Sequence, residues 1–249
     1  MKNTIIYQIK EFMKFIKLPF DKCYCLHLTE ASDRYENLMN QFDKLGIKDQ
    51  VEIWWTCKRK ISTEIGNSIK TLHTDPYDNI KNKYNKDIYG AVFNVSFEFY
   101  TIIKQSYLRG FQSILLMEDD LTFIDDFDYE HFFNNIPNDY DILRMGYDDS
   151  HIEWMKETDL YKNSKNFLIK YPYDWKFGGM CLVAFNRKGM KYYIDYMDSK
   201  FECADYPLTW VHQKNNKKYW QDNLPLNVYV TKKSIIKVRG YKSTIHCND

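Results

Sequence analysis

The sequence predicts an α/β domain in which helices flank a mixed, mostly parallel sheet. A strand-like segment, Lys22–Leu28, precedes an amphipathic helix and a second strand-like segment, Val51–Cys57. This strand–helix–strand order is typical of parallel sheets. The alternation recurs where the helical segment Ala91–Gly110 leads into the apolar segment Ser113–Met117. The chain has neither an internal repeat nor a Gly/Ser- or Pro-rich linker, so we expect residues 1–249 to form one domain.

The first helix is predicted from its apolar face and from signals at both ends. It begins at Ser32 or Asp33, and Glu36 follows at the spacing of a capping box. Gly46 is a typical stop signal. The apolar positions recur at helical spacing: Tyr35, Leu38, Met39, Phe42 and Leu45. Residues 1–20 form a second amphipathic pattern, which we expect to be a helix docked on the domain.

The remaining elements follow from shorter patterns. Ser113–Met117 is almost wholly apolar, which predicts a central strand. Asp141–Gly146 and Gly179–Phe185 are strand-like, and Asn227–Val238 is a strand or a strand pair. Helical spacing continues over 187–197, with Gly189 as an unfavourable position. Residues 147–174 are polar and irregular, which is typical of a lid or binding loop.

Composition and charge exclude several classes of protein. The net charge is +1 in 249 residues, which argues against a general nucleic-acid binder. No apolar run approaches the roughly 20 residues needed to span a bilayer, and the amino-terminal segment lacks a signal-peptide core. We therefore expect a cytoplasmic protein with at most peripheral contact at the inner face of a membrane. The six cysteines fit no zinc spacing and are expected to be reduced.

Three consecutive acids, Glu118, Asp119 and Asp120, directly follow the apolar strand at 113–117. In open α/β sheets, ligands bind at the carboxyl ends of strands. Carboxylates in this position suit Mg²⁺ or Mn²⁺, which bridge protein and phosphate. The chain has no phosphate loop, no GxGxxG fingerprint after a strand and no GxSxG elbow. We therefore expect the acids to be compensated by a cation that arrives with a diphosphate, not by a salt bridge within the fold.

The order of segments resembles glycosyltransferase family 25, the lipopolysaccharide and procollagen galactosyltransferases. The segments that carry the resemblance are CYCLHLTEASDRYENLMNQFDKLGI, GAVFNVSFEFYTIIKQSYLRGFQSILLMEDDLTF, FGGMCLVAFNRKGMKYYIDYM and ADYPLTW. They span about Lys22 to Leu208. The resemblance implies a GT-A fold, which is a Rossmann-like domain that uses a nucleotide sugar, usually with Mn²⁺. One departure is that the family's Ser-His pair after the glycine of the long helix is absent, because Asn94 and Val95 stand there.

Roles for the acid segment follow from this resemblance. It implies that Glu118 lies near the ribose and that Asp120, the last acid of an acid-x-acid pattern, is the metal ligand. Asp119 would support the turn or contact the donor sugar. Thr29 and Arg34 would lie beside the nucleotide.

Further candidates come from the second half of the chain. Inverting transfer needs a base for the acceptor hydroxyl, and Asp205, which matches a late Asp of the family, is preferred over Asp174. His246 is a candidate second metal ligand, as in several GT-A enzymes. Gly179 would allow the backbone to approach the donor sugar closely. Residues 22–146 would thus be the nucleotide-sugar-binding part and residues 147–249 the acceptor-side part.

These inferences predict a metal-dependent, inverting hexosyltransferase that uses Mn²⁺ or Mg²⁺. UDP-galactose is the favoured donor, followed by UDP-glucose, and the acceptor is a lipopolysaccharide-type glycan or a protein. Two alternatives are a metal-dependent phosphohydrolase, for which Asp148 and Asp149 would supply further ligands, and a non-catalytic glycan-binding module.

Overall fold

The computed structural model describes residues 16–57, 88–147, 155–170, 181–199 and 226–238, together with Phe201, Ala204 and Pro207. For residues 88–93 it describes only the helical backbone. The amphipathic helix predicted over residues 1–20 lies largely outside these ranges. No helix in the described ranges is long and apolar enough to cross a membrane.

Nine strands and five α-helices lie within the described residues. The strands are β1 (Lys22–Leu28), β2 (Val51–Thr56), β3 (Ser113–Glu118), β4 (Leu121–Phe123), β5 (Ile142–Gly146), β6 (Leu168–Lys170), β7 (Leu182–Asn186), β8 (Val228–Thr231) and β9 (Ile236–Val238). The helices are α1 (Ser32–Leu45), α2 (Ile88–Leu108), α3 (Tyr129–Asn134), α4 (Asp159–Asn163) and α5 (Arg187–Ser199). A short 3₁₀ turn, Lys48–Gln50, precedes β2.

Seven of the strands form one sheet in the order β2-β1-β3-β7-β5-β8-β6, and β4 pairs with β9 in a second, two-stranded sheet. Strands β1, β2, β3, β5 and β8 run in the same direction, whereas β7 and β6 run against them. The prediction of an α/β domain with a mixed, mostly parallel sheet is confirmed. The carboxyl ends of β1, β2 and β3 therefore meet at one edge.

Strand β3 lies at the centre because both of its faces are covered. Ile114 and Leu116 pack in the core beneath α2 and α5, together with Phe99 and Tyr193. Leu115 and Met117 alternate to the other face, where they share a core with α1 and α3. A strand that is buried on both faces has a nearly continuous apolar sequence, as this segment does.

The ends of the first helix differ in how well the sequence predicts them. Gly46 closes α1 in the left-handed conformation with φ 67°, which confirms it as the stop. The predicted capping box at the start is wrong. Ala31 occupies the N-cap position, and its methyl side chain offers no acceptor for the first-turn N–H groups. Asp33 and Glu36 are both exposed to solvent.

The second half of the chain adds two corrections. Residues 159–170, predicted to be irregular, contain α4 and β6, whose few residues are too short to show periodicity. Gly189 is a packing requirement of α5, since a Cβ atom there would lie 2.1 Å from the Asp141 carbonyl oxygen. The segment Asn227–Val238 is indeed a strand pair, and its two strands, β8 and β9, belong to different sheets.

Candidate active site at the carboxyl edge of the sheet

The first loop of the site joins the ends of two neighbouring strands. Thr29, just past β1, donates both its backbone N–H and its hydroxyl to the carbonyl oxygen of Thr56, at 2.8 and 2.7 Å. Because Thr56 is the last residue of β2, these bonds fix the loop at the carboxyl edge. The side chain of Thr29 is exposed there.

The Asp119 carboxylate is buried and satisfied by three donors. His27 Nδ1 lies 2.7 Å from Oδ2, and the Leu28 N–H donates to the same oxygen at 3.0 Å. Arg34 Nη1 donates to Oδ1 at 3.0 Å. Burial by itself raises the pKa of Asp119, but the hydrogen bonds from His27 and Leu28 and the charge of Arg34 outweigh it and hold the pKa below its ordinary value. Asp119 is therefore ionised at neutral pH.

These contacts correct the expectation that no salt bridge within the fold compensates the acid block. Arg34 and Asp119 form such a bridge, with both side chains nearly inaccessible to solvent. Arg34, which the resemblance places beside the nucleotide, lies at this edge, and the structure does not test that role. Its guanidinium faces the acid turn from the first turn of α1 because Ser32 directly follows the β1 loop, which brings the start of the helix to this edge.

The neighbouring carboxylate of Asp120 has the opposite environment. Its Oδ1 is buried and has no hydrogen-bond partner within the described residues. Burial raises the pKa of Asp120; the charge of Arg34 lowers it, and the negative charge of Asp119 raises it again, so the net shift is upward. A buried acceptor without a donor costs about 1–3 kcal/mol. Asp120 thus holds an unsatisfied carboxylate oxygen at the carboxyl edge of the sheet.

Glu118 is the last residue of β3, directly before the turn that holds Asp119. Its backbone N–H donates to the carbonyl oxygen of Cys181 at 3.1 Å, which links β3 to the start of β7. Burial, followed by the charges of Glu118 and Asp120, raises the pKa of Cys181 well above its ordinary value. Cys181 is therefore a protonated thiol at neutral pH.

An aromatic surface that the sequence reading missed flanks this edge. We call Tyr35 and Trp55 the aromatic shelf. Their ring centroids lie 5.1 Å apart with the planes tilted by 36°, and Trp55 is 53% exposed. The buried ring of His27 stands edge-on behind Trp55, with centroids 4.9 Å apart. The available signal was the position of Trp55, at the solvent end of a strand whose carboxyl end faces the predicted site.

Buried polar side chains of α2 hold the other side of the edge. Glu98 accepts from Trp54 Nε1 at 2.8 Å and from Thr56 Oγ1 at 3.3 Å, which attaches the helix to the end of β2. Two residues earlier, Ser96 Oγ accepts from the backbone N–H of Ala204 at 2.9 Å. Sequence patterns do not predict these contacts, since a polar residue in an amphipathic helix is more often exposed.

Two tyrosines of α5 also form hydrogen bonds with the backbone near Ala204. The Tyr193 hydroxyl donates to the Ala204 carbonyl oxygen at 3.0 Å, and the Tyr192 hydroxyl donates to that of Pro207 at 2.9 Å. Both backbone polar groups of Ala204 are thus satisfied by buried side chains. Asp205 is the next residue, but it lies outside the described residues.

Several other predicted site residues also fall outside the described ranges: Asp174, Gly179, His246, Asp148 and Asp149. Within the described residues, no group of three or more His, Cys, Asp or Glu side chains is arranged to hold a metal ion. Asp120 nevertheless fits a hard divalent cation, because its unpaired oxygen is the ligand type that Mn²⁺ and Mg²⁺ prefer. Such ions are often held by one or two carboxylates together with substrate phosphates.

Comparison with known proteins gives only distant likenesses. No family model and no curated protein matches the chain, so these comparisons leave the resemblance to glycosyltransferase family 25 without support. Among solved structures, the chain is similar to the galactosyltransferase LgtC in complex with donor and acceptor sugar analogs, at 9% identity and a TM-score of 0.36, covering 84% of this chain and 86% of that one.

Two other solved glycosyltransferases show similar values. The mannosyltransferase PcManGT from Pyrobaculum calidifontis, in complex with GDP-Man and Mn²⁺, has 11% identity and a TM-score of 0.39, with 97% of this chain and 66% of that chain covered. GlyE from Streptococcus pneumoniae TIGR4 has 9% identity and a TM-score of 0.35, with 86% and 54% covered. These solved structures are all glycosyltransferases, but likenesses this weak assign neither a reaction nor a ligand to this chain.

Proposed function

We propose that this protein is a metal-dependent glycosyltransferase that transfers a hexose from a nucleotide sugar. The observation that carries the proposal is the unpaired, buried oxygen of Asp120 at the carboxyl edge of the sheet. Its neighbour Asp119 accepts three hydrogen bonds from the fold, whereas Oδ1 of Asp120 accepts none within the described residues, so we assign the cation to Asp120. A donor diphosphate with a divalent cation supplies the positive charge that this oxygen lacks.

The groups around Asp120 suit the remaining parts of such a donor. The aromatic shelf presents an exposed indole on which a nucleobase can stack. Thr29 lies between β2, which carries Trp55, and the turn that holds Asp119 and Asp120. A ribose or phosphate would lie at this position. Glu118, at the end of β3, is in our proposal the contact to the ribose, and Gly179 allows the backbone to approach the donor sugar.

The chemistry assigned to the site is inverting transfer. Asp120 would hold Mn²⁺ or Mg²⁺, with His246 as a candidate second ligand. The bound ion would stabilise negative charge on the departing diphosphate. Asp205 takes the proton of the acceptor hydroxyl, with Asp174 as the alternative base. The hydroxyl oxygen then forms the new bond to the anomeric carbon as the bond to the diphosphate breaks.

The donor and acceptor follow from the sequence resemblance to family 25. UDP-galactose is the favoured donor, UDP-glucose the second, and the acceptor is a hydroxyl of a lipopolysaccharide-type glycan or of a protein. The unusually high content of 21 Tyr and 16 Phe does not argue against this function. In the described core, many of these rings pack against one another.

A screen of nucleotide sugars tests the proposal directly. The purified chain is incubated with each UDP- and GDP-hexose, with and without Mn²⁺, and release of the nucleoside diphosphate is measured. We expect slow hydrolysis of one UDP-hexose, strict dependence on the metal, and loss of the activity in Asp120→Asn. If no nucleotide sugar is hydrolysed and none shifts the melting temperature with Mn²⁺ present, the proposed function is wrong.

A further inference from the structure

We propose that His27 and Arg34 are positioning residues that set the affinity of Asp120 for its divalent cation by holding Asp119. The inference rests on the proposed function, because it assigns to Asp120 the role of metal ligand. The positioning role is separate from the nucleotide contact that the resemblance implied for Arg34, which stays a prediction.

The geometry shows how firmly Asp119 is held. His27 and Leu28 belong to β1, and both donate to Oδ2, while Arg34 belongs to α1 and donates to Oδ1. Both carboxylate oxygens are therefore engaged from two directions, so the group cannot rotate without breaking a bond. The donors lie 85 to 92 positions away in the sequence, so these bonds connect the acid turn to a separate part of the fold.

The protonation of His27 follows from its partner. The two oxygens of the Asp119 carboxylate also accept from the Leu28 N–H and from Arg34 Nη1, so the hydrogen of the contact with His27 is placed on Nδ1. That leaves Nε2 of His27 buried and without a partner within the described residues. In our interpretation, the contact between Nδ1 and Asp119 stabilises the fold by more than the unpaired Nε2 costs.

The hold on Asp119 bears directly on Asp120, since the two residues share a peptide bond in one tight turn between β3 and β4. A free turn would rotate so that the Asp120 oxygen met water. The fixed turn keeps that oxygen buried and unpaired. This arrangement is unfavourable in free energy without a cation and becomes favourable when a cation binds the oxygen. Residues that orient a ligand in this way typically change metal affinity about 10- to 100-fold when they are substituted.

The test measures Mn²⁺ binding to the folded protein in the presence of UDP, which supplies the diphosphate, by electron paramagnetic resonance. A protein-free sample of Mn²⁺ and UDP is the blank, and thermal unfolding is measured alongside. His27→Leu fills the space of the ring but removes the donor, whereas His27→Asn restores a nitrogen near the Nδ1 position. We expect His27→Leu and Arg34→Gln to weaken Mn²⁺ binding about tenfold or more, and His27→Asn to recover most of the loss.

Lys44→Gln is the matched control for Arg34→Gln. It also removes one positive charge from α1, but Lys44 pairs with Asp125 at the exposed end of that helix. We expect its Mn²⁺ affinity and melting temperature to stay near those of the wild type. Binding is compared at a temperature where every variant is fully folded, so a purely structural role would lower the melting temperature and leave the dissociation constant unchanged.

The outcomes separate this inference from the proposed function. If Asp120→Asn abolishes Mn²⁺ binding while His27→Leu and Arg34→Gln bind like the wild type, the positioning role is wrong and the metal site stands. If Asp120→Asn itself binds Mn²⁺ normally, the metal assignment fails, and the positioning role fails with it. Loss of binding in His27→Leu without recovery in His27→Asn would also count against the inference, because it would trace the effect to packing of the ring.

Discussion

Asp119 and Asp120 are adjacent in the chain, and yet the first accepts three hydrogen bonds while one oxygen of the second accepts none. The pKa of Asp119 is held below its ordinary value by its partners, after they outweigh burial, and that of Asp120 is raised by burial. One carboxylate serves the fold. The other is disfavoured in its ionised form, which is the form that binds a cation.

This contrast predicts that Asp120→Asn stabilises the metal-free protein. The neutral amide removes an ionised group that burial disfavours. We expect a gain of about 1 kcal/mol, which corresponds to a rise of about 2–4 °C in Tm for a chain of this size. Calorimetry in the presence of a chelator measures it. Asp119→Asn should act in the opposite direction, and a loss of stability in Asp120→Asn would contradict this account.

The aromatic shelf predicts a selective effect on donor binding. Stacking of a base on an aromatic side chain is worth about 1–3 kcal/mol, so Trp55→Ala should raise the donor KM by about 5- to 150-fold with little change in kcat. Steady-state kinetics checks this, and Trp55→Phe should retain part of the binding. Leu160→Ala removes an exposed apolar side chain on α4 and serves as the control. An unchanged KM in Trp55→Ala would remove the shelf from the site.

The contacts around Ala204 predict an effect on turnover. Ser96→Ala and Tyr193→Phe each leave one backbone group of Ala204 without its partner. If Asp205 is the base, the backbone beside it becomes less well placed, and we expect kcat to fall about tenfold while the donor KM stays constant.

Two variants provide controls for this experiment. Ser199→Ala removes a hydroxyl that donates to the Tyr196 carbonyl oxygen within the last turn of α5, and Tyr229→Phe removes an exposed bond to Asp139. Both should leave kcat unchanged. Wild-type turnover in Ser96→Ala and Tyr193→Phe would show that the hold on Ala204 serves stability alone.

A pair of glycines predicts two different costs of adding a methyl group. At Gly189 the new Cβ would lie 2.1 Å from the carbonyl oxygen of Asp141, a backbone atom that cannot move aside. We expect Gly189→Ala to lower the free energy of unfolding by about 3 kcal/mol, as in overpacked cores. At Gly110 no atom lies within 4 Å, and only its φ of 86° disfavours alanine, at about 1 kcal/mol. Urea unfolding of both variants measures the difference.

The main elements of the fold were predictable because their signals are local. The apolar run at 113–117 and the glycine after α1 depend on neighbouring residues, and both predictions hold. The short strand β6 was missed because three residues carry no period, and the capping box failed because its spacing recurs by chance. The place of β7 between β3 and β5 is a long-range pairing, which no local pattern contains.

The site was predictable in position but not in its contacts. Acids after a buried strand indicate the carboxyl edge, and that is where Glu118, Asp119 and Asp120 lie. The different environments of these acids depend on His27 and Arg34, which are distant from them in the sequence. The parallel pairing of β1 with β3 brings His27 and Arg34 close to Asp119. Asp205, Asp174, Gly179 and His246 stay predictions.

The order of strands also has a consequence for how the chain acquires its structure during synthesis. Only 23 residues separate the end of β3 from the start of β5. The two strands do not pair with each other, because β7 lies between them in the sheet. Until residues 182–186 leave the ribosome, β3 has one unpaired edge, and β5 has two, because its other neighbour, β8, is synthesised later still. Early intermediates therefore expose adhesive strand edges, and premature termination before β7 should yield an aggregating fragment.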